Sequence, residues 1–213
     1  MNHPERLLRR IRHDEAIETP KGILKIRCRR IGEVVIDRGW MILCSPEACG
    51  ERGLEDPRYH IKINPGRYPV IVGIAENETA ATSLVASASV LLGDTLPVQW
   101  ELAPRTVYSE HAELDAFMDV RAQEEFADRM LEDEQGAWAD MWRRLKDNSL
   151  GRVCWADIAL DERTGLNMVA YANGGDVGSR GNGFGYDQRG QVVCVTNFFQ
   201  LPGDSEGIWD PFK

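Results

Sequence analysis

The chain has 213 residues, of which 43% are hydrophobic and 28% charged. That balance supports one buried core in a single domain over residues 1–213 and argues against disorder. A formal charge of −9 argues against DNA or RNA as a partner, because phosphate backbones are held by Lys/Arg patches.

In chain order, Glu5 to Ile17 places Leu7, Leu8, Ile11 and Ile17 among arginines, which predicts a short amphipathic N-terminal helix. The stretch Met1–Arg12 is charged throughout and lacks the apolar centre of a secretory signal. No apolar run approaches the ~18 residues of a membrane-crossing helix. Cytoplasmic residence without a membrane partner is therefore expected. From Gly22 the period falls to two. Ile23–Arg30 alternates apolar and basic residues, and Glu33–Ile36 and Trp40–Cys44 flank Asp37-Arg38-Gly39, a pattern that predicts a hairpin. Strands are expected over Arg67–Ala75 and Ala80–Leu92. In the second, Leu84, Ala86, Ala88, Val90 and Leu92 share one face, with Ser83, Ser87 and Ser89 on the other. A strand over Pro97–Leu102 closes a β-rich region at residues 22–103.

Helical spacing takes over at about Leu114 and runs to Asp147. Phe126, Met130, Trp138, Met141, Trp142 and Leu145 fall on one stripe, opposite Glu124, Glu125, Asp128, Glu132 and Asp133. The Trp/Met stripe reads as core packing. Gly136 lies mid-pattern, and its poor helix propensity predicts a kink or break there. Strands follow over Arg152–Leu160 and Leu166–Tyr171. Gly183–Asp187 and Gln191–Phe199 then make a hairpin over Gln188-Arg189-Gly190, completing a second β-rich part at residues 152–199. The fold class is α+β: antiparallel sheet, the short N-terminal helix, and one long or broken helix over about 114–147. That helix is expected to cover the apolar face of a sheet formed before Ala103, with the later strands extending it or building a second layer.

Chemistry-bearing patterns are sparse. His3, His13, His60 and His111 share no metal-ligand spacing, and Cys44 and Cys49 have no second pair nearby, so neither a metal nor a cofactor is expected. The five cysteines (Cys28, Cys44, Cys49, Cys154 and Cys194) are scattered and odd in number, which argues against a disulfide framework. No phosphate-binding loop, dinucleotide fingerprint or nucleophile elbow occurs. Asp119, Asp176 and Asp187 would serve as acid/base groups or divalent-metal ligands of a hydrolase if the fold gathered them. Aspartates beside glycine more often bond their own backbone in turns.

A series of short motifs runs in order beyond Glu33: Cys44-Ser45-Pro46, Pro65-Gly66-Arg67-Tyr68-Pro69-Val70, Trp100-Glu101-Leu102-Ala103, Phe117-Met118-Asp119, Asn173 to Gly178, Gly185-Tyr186-Asp187 and Val195-Thr196-Asn197-Phe198. In this order they resemble the bacterial family called domain of unknown function 4241. The family pattern carries Asp where this chain has Ser45 and Asn197, and Cys where it has Ala116. Its Ser-Gly-x-Gly-Asp-Gly turn is altered here to Asn173-Gly174-Gly175-Asp176-Val177-Gly178. The resemblance implies a shared fold and brings no mechanism with it.

Charge gives the remaining lead. Residues 1–30 carry nine Lys/Arg against four Asp/Glu, leaving 16 basic against 30 acidic groups, a net of −14, over the rest. Such a surface attracts basic partners. The expected role is a non-catalytic protein-binding module, immunity-type, neutralising a basic toxin through Glu124, Glu125, Asp128, Glu132 and Asp133. The aspartate hydrolase and a structural homo-oligomer subunit are the alternatives.

Overall fold

The structure, a computed structural model, describes residues 9–19, 22–50, 60–77, 82–102, 113–150, 153–172, 179–199 and 201. Within them, β1 (Ala16–Thr19), β2 (Gly22–Ile36), β5 (Gly66–Asn77), β6 (Thr82–Leu91), β13 (Val192–Phe199), β12 (Ser179–Tyr186) and β7 (Gln99–Leu102) form a seven-stranded sheet in that order. A second sheet of six runs β4 (His60–Lys62), β3 (Trp40–Cys44), β8 (Leu114–Asp119), β11 (Leu166–Ala172), β10 (Val153–Asp161) and β9 (Ser149–Leu150). All pairings are antiparallel. Helix α1 (Val120–Asp147) lies on the outer face of the six-stranded sheet, so the α+β class holds with three layers.

Side-chain alternation assigns each layer its core. Between the sheets, Val34, Ile36, Val70, Val72, Val90 and Val195 meet Phe117, Trp155, Val169 and Tyr171. On the other face of the six-stranded sheet, Ile42, Ala116, Met118, Ile158, Met168 and Ala170 meet Ala122, Phe126, Met141 and Leu145 of α1. Strands β8 and β11 are buried along their whole length. A strand covered on both faces loses its polar alternation. That explains the first difference from expectation: Leu114–Asp119 is strand, and the helix starts only at Val120.

Two β-bulges explain another. β2 and the segments on either side of Ile31 are one 15-residue strand, with a register shift between Arg30 and Gly32. Before the bulge Leu24 and Ile26 face outward, and after it Val34 and Ile36 face the inter-sheet core. In β6 the shift opposite Gly73/Ile74 does the same. Leu84 and Ala86 pack outward with Leu24 and Ile26, while Ala88 and Val90 turn inward. An extra residue inverts the parity of everything beyond it, so the single apolar face expected along this strand is divided between two cores.

The hairpin expected at Asp37-Arg38-Gly39 is instead a corner. β2 and β3 belong to different sheets, and Gly39 turns the chain at φ +76, where a Cβ would come within 3.0 Å of the Ile63 carbonyl. The expected N-terminal helix over Glu5 to Ile17 is corrected only in its second half. Residues 1–8 lie outside the described residues, Arg9 is helical, Arg10–Asp14 form turns and a bend, and β1 begins at Ala16. Asp14 sits at φ +62 and its amide donates to the Ile26 carbonyl at 2.8 Å; a left-handed residue stops helical winding. Finally, the helix covers the six-stranded sheet rather than one made from strands before Ala103, and β12 and β13 complete the seven-stranded one.

Asn167 joins the sheets. Its Nδ2 donates to the Glu33 carbonyl and the Asp157 carboxylate, each at 2.6 Å, and its Oδ1 accepts the Val35 amide at 2.9 Å. Both main-chain partners lie on β2, so the amide acts as a short piece of ladder. Asn167→Leu is expected to lower stability by about 2–4 kcal/mol in urea unfolding, because buried polar groups lose their partners.

Candidate functional site

The acidic face of α1 is set out by two aspartate caps. Asp119 ends β8 in extended geometry and its Oδ1 accepts the Arg121 amide at 2.8 Å, which starts the helix. Asp133 restarts it. Its backbone is non-helical (φ −152, ψ 81) and its Oδ1 accepts the Gly136 amide at 2.9 Å. The break expected at Gly136 therefore falls three residues earlier. Glycine is needed there for space, since a Cβ at Gly136 would come 2.1 Å from the Asp133 carboxylate.

Between these caps the expected contact residues separate into two groups. Glu124 pairs with Arg38 at 3.1 Å and Glu125 lies 3.9 Å from Arg121. Asp128 and Glu132 are exposed, and among the described residues neither has an ion pair. Leu131 stands between them with 86% of its surface exposed, and exposed Glu134 follows. Positions 124, 128, 131 and 132 share one helical face. Sequence reading found the carboxylates and missed the leucine, although a leucine off the apolar stripe is a visible signal.

Asp119 and Asp187 are each occupied by backbone. Asp119 is fully buried, and its second oxygen accepts the amides of Asp37 and Arg38 at 3.0 and 3.1 Å, which fixes the corner between the sheets. Asp187 accepts the amides of Arg189 and Gln191 at 2.8 and 2.9 Å across the turn that joins β12 and β13. Asp119 ends a strand of the six-stranded sheet and Asp187 follows a strand of the seven-stranded one. Asp176 lies outside the described residues.

The acid that sequence reasoning passed over is Asp115. It points from β8 into the inter-sheet core, fully buried, where one oxygen accepts from Asn197 Nδ2 at 3.0 Å and the other has no hydrogen-bond partner among the described residues. Asn197 Nδ2 also lies 3.3 Å from the Tyr171 hydroxyl. Burial pushes the Asp115 carboxyl up to about 7; the Asn197 bond opposes that rise and the charge of Glu47 adds to it. Glu47 is raised too, chiefly by burial, and its Oε2 is buried without a partner among the described residues. Nearby Cys44 and Cys49 lie 4.0 Å apart as free thiols, and Cys44 is held well above its ordinary value by its bond to Cys49 and by burial. Asp115 sits inside Leu114-Asp115-Ala116-Phe117-Met118; a charge within an apolar strand was the signal available.

Among the described residues no three His, Cys, Asp or Glu side chains converge to hold a metal ion, and no helix is long and apolar enough to cross a membrane. No family model matches the chain, and neither a curated protein nor a solved structure matches it.

Proposed function

We propose that the chain is a non-catalytic protein-binding module, of immunity type, whose acidic helix face receives a basic protein such as a toxin. The observation that supports this is Leu131, 86% exposed, standing among Asp128, Glu132 and Glu134. An isolated apolar side chain ringed by unneutralised carboxylates supplies what a basic interface requires: a small contact area to desolvate and a field that steers the encounter. The chain's net charge of −9 extends that field. The hydrolase alternative draws no support from Asp119, both of whose oxygens accept backbone amides, or from Asp187, whose Oδ1 accepts two amides of its own turn.

The test uses basic proteins encoded beside this chain, titrated by calorimetry against wild type, Leu131→Ala and the Asp128→Lys/Glu132→Lys double variant. Wild-type binding is expected to weaken as salt rises. The charge-reversed variant should bind at least about tenfold more weakly, as expected when rim charges repel the partner. Equal binding by all three variants, or salt-independent binding, overturns the reading.

A further inference from the structure

The outer face of the seven-stranded sheet, on the opposite side of the layered stack from α1, carries a cavity of about 580 Å³. Its size falls in the ~300–1,000 Å³ range of small-molecule sites. The floor is made of small side chains: Gly73 of β5, Ser87 and Ser89 of β6, and Cys194 of β13. Ser87 and Ser89 are not free to bond a ligand strongly, because their hydroxyls already meet the Arg10 carbonyl and Thr196 at 2.7 and 2.8 Å. Gly73 cannot be enlarged, since a Cβ there would come 2.3 Å from the Arg10 carbonyl. The walls are mainly apolar (Ile11, Ile71, Leu91, Leu92 and Leu96), with Asp94 and Thr95 also lining the cavity. Leu96 has 55% of its surface exposed at the rim.

One end differs. Arg67 lines this cavity and also a smaller cleft shared with Arg30, Glu33, Asp157, Gly165 and Asn167. Its guanidinium rests over Gly165, where a Cβ would come within 2.4 Å, and among the described residues nothing pairs with it. An unpaired guanidinium at the mouth of an apolar trough is complementary to an acid with a hydrocarbon tail. Outward-facing positions of β5 from Arg67 to Gly73 cover six residue steps, or ~20 Å at ~3.4 Å per residue. That is the reach of an extended long acyl chain.

We propose that this trough binds a long-chain carboxylate, with the head group on Arg67 and the tail along Ile71 and Leu91 towards Ile11. Neither catalysis nor the acidic helix face takes part. The probe is cis-parinaric acid fluorescence with the full chain, displaced by palmitate or by hexadecanol, which has the same tail without the charge. Wild type should bind the probe and prefer palmitate. Arg67→Gln should weaken palmitate by about tenfold or more, the scale of a lost charge-assisted bond, and leave hexadecanol nearly unchanged. Ile71→Trp, which fills the trough, should weaken both while thermal unfolding stays close to wild type. The proposal is overturned by no probe binding to folded wild type, by equal displacement by palmitate and hexadecanol, or by an Arg67→Gln protein that still prefers palmitate.

Discussion

Asp119→Ala is expected to lose about 3–5 kcal/mol of unfolding free energy. Three amides depend on that carboxylate: Arg121 in the first turn of α1, and Asp37 and Arg38 at the corner between the sheets. Losing an N-cap costs about 0.5–2 kcal/mol. Each further amide left without an acceptor costs about 1–3 kcal/mol, less where water can reach it. The two losses act on different elements, so both the helix start and the β2–β3 corner should loosen. Asp119→Asn keeps an acceptor oxygen and should lose about half as much or less. Urea unfolding of the three proteins checks this. A loss under about 1 kcal/mol for the alanine variant would mean that the corner is held by something else.

The second large effect is a pH dependence carried by Asp115. Its folded carboxyl titrates at about 7, against ~3.9 in an unfolded chain. Between those values the folded protein holds a proton that the unfolded chain lacks, so stability falls as pH rises. The stabilising contribution of the protonated acid is complete below ~4 and is lost as pH climbs through about 7. Three units of difference correspond to about 4 kcal/mol as an upper figure. Asp115→Asn removes the ionisation and keeps an acceptor for Asn197. It should therefore match wild type within about 1 kcal/mol at pH 5 and exceed it by about 2–4 kcal/mol at pH 8. Unfolding curves at pH 5, 6.5 and 8 measure the difference; parallel pH profiles for the two proteins would show that Asp115 is not buried as an acid.

What the sequence made legible follows from how many faces each element buries. β13 and the turn before it were readable because Asp187 and Gly190, the latter at φ +74, mark the bend directly. The stripe of α1 was readable too, with Phe126, Met141 and Leu145 buried as spaced, although Trp142 stays partly exposed. β8 was not readable as strand, because both its faces are covered and no polar alternation survives to separate it from the helix that follows. The bulges at Ile31 and in β6 cannot be seen in a parity pattern that they themselves invert. The Asp37–Gly39 corner depends on a carboxylate more than 80 positions away, a distance that local turn chemistry does not encode. Among the candidate site residues, the acidic face was legible as charge, and its exposed Leu131 emerges only when the helix is set on its sheet. Asp115 and Asn197 meet only because the two sheets pack face to face.

Amide hydrogen exchange, read on the chain alone and saturated with a bound basic protein, tests the proposed role most directly. Protection gained over residues 124–135, around Leu131 and the Asp133 break, is the predicted footprint. A footprint confined to other surfaces, such as the rim at Leu96, with residues 124–135 exchanging as before, would contradict it.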